Sequence, residues 1–304
     1  MPLLKWMLAK QEDLRPRPDE AEEGKAYLAS AWLERCANPE CSSGWLHPWR
    51  RRSVPVFEEG WTCSPECTRF LVHAAVSRAL SGKGTSGETH RHRIPLGLLM
   101  LEQGWISHAE LQKALAAQRA AGTGRLGQWL MRHHAVGEET VARALGLQWS
   151  CPVLNADPEE SESLSAAVPR LFVDAFGALP LRLAAGKVLY LGFEASLDPA
   201  VALAVEQATG LRVESAIVPE SQFRRAHSRV LRTRFPAAEL VEAVSPAAAA
   251  NALARCVERA LPVASRLVRV HDCLWLRLLL RRHPGALPEV GNVEDVICSI
   301  GRIQ

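Results

Sequence analysis

Four of the eight cysteines in this 304-residue chain lie close together, and they are the side chains best arranged for chemistry. Cys36 and Cys41 sit in CANPEC, Cys63 and Cys67 in CSPEC, and about twenty residues separate the two pairs. Two such pairs supply four thiolates, the donor set of a closed tetrahedral zinc site, which is structural because no coordination position stays open. The spacings are x4 and x3, where x2 is commoner. A disulfide pair or four separate thiols are the alternatives, and the lack of an export signal disfavours disulfides. His47 and His73 are reserve ligands, although core or surface roles fit them better. Cys151, Cys256, Cys273 and Cys298 are scattered and read as buried thiols.

A scaffold must bring those sulfurs together. Between the pairs, GWLHPWRRRSVPVFEEGWT carries Trp45, Trp49, Val54, Val56, Phe57 and Trp61 and suits a β-hairpin. After Cys67, TRFLVHAAVSRAL reads as a helix with Phe70, Val72, Ala75 and Leu80 among its apolar residues. A thiolate at a helix start is favoured by the helix dipole. Knuckle, hairpin, knuckle and helix resemble a treble-clef or ribbon-like zinc module over residues 31–80, a unit too small to be stable without a staple.

The next stretch is one pattern written twice. A shift of 30 positions places residues 95–118 on 125–148, matching Leu96 with Leu126, Gly97 with Gly127, Leu115 with Leu145 and Gln118 with Gln148. Met100 with Leu130, Ile106 with Val136 and Leu111 with Val141 are conservative pairs. Each copy reads as a short helix, a turn and a second helix. Leu96, Leu99 and Met100 share one face, Gly104 can end the first helix, and Ser107 with Glu110 forms a capping box for the next. Leu111, Leu115 and Gln118 then fall on one side, as do Val141, Leu145 and Gln148. A buried amide at the end of an apolar stripe needs partners, either in the backbone or in a ligand.

This tandem pattern of Leu-Gly, a turn and L-x-x-A-L-x-x-Q resembles the MshEN domain, the N-terminal domain of type II secretion and type IV pilus assembly ATPases, and the likeness extends to about residue 231. The resemblance implies a candidate cyclic di-GMP site with one half of the ligand per repeat. Its residues here are Leu96, Gly97, Leu111, Leu115 and Gln118 from the first block, and Arg125, Leu126, Gly127, Val141, Leu145 and Gln148 from the second. An arginine at that place can pair with a phosphate or with guanine O6 and N7. Leu-Gly at a helix start offers backbone N–H groups to a phosphate. The sequence departs from the pattern at Pro95, which stands where the pattern has Arg, at His134, where it has Gly, and at Ala195-Ser196, where it has Asp-Pro. Arg93 lies two residues before Pro95.

The rest of the chain reads as follows. Residues 1–30 are a tail and linker whose first ten residues suit a short amphipathic anchor or a frayed helix, and 81–93 are a flexible linker with no P-loop. Residues 94–150 hold the repeats. Residues 151–235 suggest a β-β-α-β-α subdomain, with a short helix at 169–176 before it and Ser196 or Asp198 capping the helix at 199–208. Residues 236–304 suggest an alanine-rich helix over 240–260 and a hairpin turning at His271-Asp272. The expected class is α+β: a small zinc-binding module, tandem helical repeats packed on a small three-stranded subdomain, and a C-terminal helix and hairpin.

A net charge of +3 gives no strong field for polyanions, so Arg50–Arg52 and the arginines of 224–234 read as solvated faces. No apolar run is long enough to span a bilayer, which points to the cytoplasm. No nucleophile–base set, paired acids or open metal site emerges from the spacing, so an enzyme is not expected. The reading is a regulatory or adaptor protein with structural Zn2+ and a possible cyclic di-GMP ligand, linked to a secretion or pilus platform. The alternatives are a ligand-free docking module of such a system and a zinc-ribbon nucleic-acid binder, which the low charge disfavours.

Overall fold

The computed structural model describes residues 35–42, 54–58, 60–81 and 93–301. The expected N-terminal anchor and linker, most of the linker at 81–93, Trp45, Trp49, His47, Arg50–Arg52, His90 and His92 lie outside the described residues. Among the described residues no helix is long and apolar enough to cross a membrane. The architecture is mixed α+β.

The hairpin of the cysteine module is short: β1, Val56–Phe57, pairs antiparallel with β2, Gly60–Trp61. Helix α1, Pro65–Ser81, follows at once. Gly60 has a steric reason: a Cβ there would lie 2.2 Å from the Ala37 Cβ, where the first knuckle presses on the hairpin. The Ala37 N–H donates to the Trp61 carbonyl at 2.8 Å and fixes that contact.

The repeats fold as four helices: α2, Leu96–Glu102; α3, His108–Ala121; α4, Leu126–Arg132; and α5, Glu138–Trp149. Ser107 and Glu110 form the expected capping box, and the Ser107 N–H and hydroxyl hold the Glu110 carboxyl below the ordinary range. The copies exchange partners, α2 packing on α5 and α3 on α4, so that they are related by a pseudo-dyad. Gly104 and His134 are equivalent and both left-handed, with φ of 67° and 55°. Each ends its helix in the same double-bonded cap, Trp105 N–H to the Met100 carbonyl and Ala135 N–H to the Leu130 carbonyl. His134 therefore keeps the geometry of the glycine it replaces, at the expense of a side chain in a region L-residues avoid.

Residues 151–157 run extended, and α6, Pro158–Ser163, follows with Asp157 capping the Glu159 N–H. Helix α7, Arg170–Phe176, leads into β3, Leu179–Ala184, and β4, Val188–Phe193, around a turn in which Ala185 and Gly186 both have positive φ. Helix α8, Pro199–Thr209, makes the crossover to β5, Arg212–Ile217, which lies parallel to β4. Asp198 is the cap, accepting from the Ala200 and Val201 N–H groups. Helix α9, Glu220–Val230, closes this three-stranded unit.

The last part departs from the sequence reading. Residues 240–245 are not helical: β6 occupies Ala237–Ala243, and α10 runs only over Pro246–Ala260. The expected hairpin is present as β7, Ala264–Val270, and β8, Cys273–Leu279, with His271 left-handed at its turn. An unexpected strand β9, Val293–Ile300, inserts between β8 and β6, giving the order β6-β9-β8-β7.

The two faces of this sheet serve different cores. Leu274, Leu276, Leu278, Val296 and Cys298 pack with α10 and with Phe57, Val72 and Val76 of the cysteine module. Trp275, Ile297, Val268 and Val270 pack into the core of the three-stranded subdomain, where Trp275 meets Phe172 edge-to-face at 4.8 Å. Arg277 and Asp295 are buried on that second face. The Arg277 guanidinium donates to the Ala167 carbonyl at 2.9 Å and to the Ala166 carbonyl, and lies 4.0 Å from Asp295. Asp295 also accepts the Trp275 indole N–H at 2.8 Å. Burial pushes the Asp295 carboxyl up, partly offset by Arg277, and pushes the Arg277 guanidinium down.

Candidate functional site

The structure gathers Cys36, Cys41, Cys63 and Cys67 so that their four sulfurs lie within 4.8 Å of one another. Cys67 sits in the first turn of α1, Cys63 just after β2, and Cys36 and Cys41 flank the turn at Asn38. The Cys41–Cys63 and Cys63–Cys67 sulfur separations are 3.4 and 3.7 Å, far beyond a disulfide bond of about 2.05 Å. Four sulfurs at about 2.3 Å from one tetrahedral ion would stand about 3.8 Å apart, which these spacings approach. The Asn38 amide donates to the Cys67 sulfur at 3.3 Å, the type of outer contact that orients a thiolate ligand. Burial, then the neighbouring sulfurs, push the Cys63 thiol up to about 12. The donor set fits Zn2+. His73 is not near it; its ring bonds to Asn251 at 2.9 Å.

The second site is a small cleft between the second repeat and the three-stranded subdomain. Its apolar wall is Leu96, Leu126, Met131, Val141, Ala142 and Leu145. Arg125 stands at the rim, 57% exposed, just before α4, with Gly127 and Gln128 behind it. The opposite wall comes from Glu194 and Ala195 after β4 and from Val218 and Glu220 at the start of α9. Glu194 is shared between two arginines, at 3.5 Å from Arg125 and 3.7 Å from Arg224, separations of charge attraction rather than hydrogen bonding. Gln128 donates to Glu220 at 3.2 Å, and Glu138 accepts the Ser221 N–H at 2.6 Å. These last two contacts clasp the repeats to α9.

Of the residues the sequence singles out, the cleft gathers Leu96, Arg125, Leu126, Gly127, Val141 and Leu145. The other five are not among its lining. Leu111 is buried and Leu115 half-buried in the core of the repeats. Gly97 is packed beneath Leu111, and a Cβ on it would come within 2.7 Å of the Leu111 Cδ1. The equivalent Gly127 faces Val141 at 2.7 Å, so both glycines permit close helix crossing as well as whatever they offer a ligand. The two glutamines take the backbone role. Gln118 donates to the Gly124 carbonyl and Gln148 to the Ile94 carbonyl, both at 2.8 Å. Each thereby pins the strand entering the first helix of the other copy, a reciprocal clasp across the pseudo-dyad.

Glu194 and Glu220 are site residues that the repeat pattern does not reveal, because tertiary packing alone brings them to Arg125; Gln128 and Glu138 lie within the second repeat itself. Arg93 does not reach the place of the missing arginine. Its guanidinium lies over the Trp149 ring at 3.2 Å, and the Trp149 indole N–H donates to the Ala195 carbonyl at 3.2 Å, beside the cleft lip.

No curated protein matches the chain significantly. Among solved structures, MshE with cdg is 26% identical, covering 45% of this chain and 99% of its own, at a TM-score of 0.36. The N-terminal domain of XpsE, in two crystal forms, is 20% and 22% identical, covering 44% and 47% of this chain and 92% and 96% of its own, at TM-scores of 0.31 and 0.26. The family model of the MshEN domain matches residues 149–237, the three-stranded subdomain with its flanks, while the tandem repeats precede that stretch. By that match the chain carries an MshEN domain, preceded by a four-cysteine module at residues 36–67.

Proposed function

We propose that the chain is a non-catalytic, cytoplasmic regulatory adaptor of type II secretion or type IV pilus machinery, stapled by one structural Zn2+ on its four cysteines and gated by cyclic di-GMP in the cleft beside Arg125. The observation that carries the reading is the place of Arg125-Leu126-Gly127: the charged member stands at the rim of an apolar cleft whose far wall is the MshEN domain. Leucine and valine side chains suit the faces of a purine. Arg125 can make charge-assisted bonds to a phosphate or to guanine O6 and N7. The carboxylates of Glu194 and Glu220 can accept from the N–H groups of a guanine edge. A ligand spanning repeats and subdomain would favour whichever relative arrangement it fits better, and thereby regulate.

Titration calorimetry with cyclic di-GMP tests this reading. Saturable binding is expected, weakened about tenfold or more in Arg125→Ala through loss of charge-assisted bonds. A flat titration at high ligand removes it. The Arg125–Glu194 pair favours a second reading, in which the cleft is already satisfied internally and the domain docks a platform protein without nucleotide. Capture of a platform's cytoplasmic domain, unchanged by nucleotide and by Arg125→Ala, is the outcome expected there.

A further inference from the structure

Strand β6 is an outer strand of the C-terminal sheet. Its inner edge pairs in parallel with β9, from Ala237↔Glu294 to Ala243↔Ile300, without a register shift. Among the described residues no strand pairs with its outer edge. The opposite edge of the sheet, β7, is guarded: the Val56 N–H donates to the Pro262 carbonyl, and Ser265 bonds to Val56 and Glu58, so the cysteine module lies along it. Unpaired edges are usually blunted by charged side chains, above all lysine, by proline, by a bulge or by short length. Over its seven residues, AAELVEA, β6 has no lysine, proline or bulge, and its only charges are Glu239 and Glu242. Leu240 is 69% exposed and Val244, just beyond the strand, 76%.

We propose that β6 is the dyad of a homodimer, in which it pairs antiparallel with β6 of a second copy and joins two four-stranded sheets into one. The strand is self-complementary about its own midpoint. With Leu240 on the dyad, all of Ala237–Ala243 overlaps, Leu240 meets Leu240 of the second copy, Glu242 opposes Ala238 and Glu239 opposes Val241. No like charges stand directly opposite. Glu239 is in addition neutralised by Arg259 at 2.8 Å. Side chains on opposed residues must share a face, so the dyad moves by whole residues. Centring it on Glu239 would set that carboxylate against itself, and centring it on Val241 would set each Leu240 against Glu242. A two-fold interface needs this kind of self-matching patch. An unrelated extended partner has no reason to match it.

Light scattering on the eluting full chain tests the proposal. The wild type should have twice the 33.4 kDa chain mass. Leu240→Lys should elute as a monomer with an unchanged circular dichroism spectrum, and Leu98→Lys, which alters an exposed leucine on α2, should remain dimeric. Leu240→Cys should form an interchain disulfide that the wild type does not, since opposed Cα atoms at about 4.5–5.5 Å lie within disulfide range. A monomeric wild type at about 100 µM, far above a micromolar dissociation constant, would overturn it. So would a Leu240→Lys protein that stays dimeric, or a Leu240→Cys protein that never cross-links.

Discussion

Replacing Arg277 by methionine should be among the most damaging single changes in the chain, and increasingly so as pH rises. Arg277 and Asp295 have 7% and 0% side-chain exposure, so solvent screens neither. Methionine fills much of the volume but leaves the Asp295 charge buried with one remaining donor, the Trp275 indole. Breaking a buried pair in this way costs about 3–5 kcal/mol, close to half the total stability of an ordinary domain. The sign of the pH dependence follows from the direction of the shift. Burial already raises the Asp295 carboxyl, and Arg277 opposes that rise; without Arg277 it rises further. A carboxyl with a raised folded-state value binds its proton more tightly when folded, so stability is greatest below its unfolded value of about 3.9 and is lost as pH climbs through the folded value. Urea unfolding of Arg277→Met at pH 5 and pH 8 should therefore show the larger deficit at pH 8. The double variant Arg277→Met with Asp295→Leu should recover most of the loss, because an apolar pair of similar volume replaces the ions. A single variant within about 1 kcal/mol of wild type, or a deficit independent of pH, would refute the argument.

Three further outcomes are expected. Protein purified without chelator should carry about one zinc per chain, and Cys63→Ser should lose it; wild-type protein almost free of zinc would contradict the metal assignment. Because Phe57, Val72 and Val76 share a core with α10 and β8, chelation should also speed hydrogen exchange in β8, a strand remote in sequence from every cysteine of the cluster. Gln148→Leu and Gln118→Leu should each cost about 0.5–1.5 kcal/mol through the lost bond to the Ile94 or Gly124 carbonyl, measurable in urea. A neutral effect from both would mean that the clasp holds nothing.

Legibility in the sequence followed the range of the forces involved. The four cysteines announced themselves because two short knuckles fix sulfur spacing locally, and the repeats did so because 30 positions separate near-identical helical faces. The three-stranded subdomain was readable from alternation and from Asp198 before Pro199. The α6 helix had a signal too, Asp157-Pro158-Glu159, a cap with proline at the first helical position. Strand β6 did not, since alanine, glutamate and leucine prefer helix and only pairing with β9 overrides that preference. Strand β9 was hidden by Asp295, a charge that reads as surface until Arg277 is placed beside it. In the cleft, Arg125 could be named from its repeat, whereas Glu194 and Glu220 become neighbours only after the subdomain docks. The sequence left the glutamines a backbone or a ligand partner, and the structure pairs them with the Gly124 and Ile94 carbonyls just ahead of the two copies.

The core shared by the cysteine module and the C-terminal sheet makes those two segments halves of a single structural unit, with residues 93–235 intervening like a cassette spliced into its middle. During synthesis the first half emerges from the ribosome long before the second exists. Phe57, Val72 and Val76 must wait, greasy and unsheltered, until α10 and β8 have been translated. If an ion is clamped on the four thiols, it would hold the early half in shape over that interval.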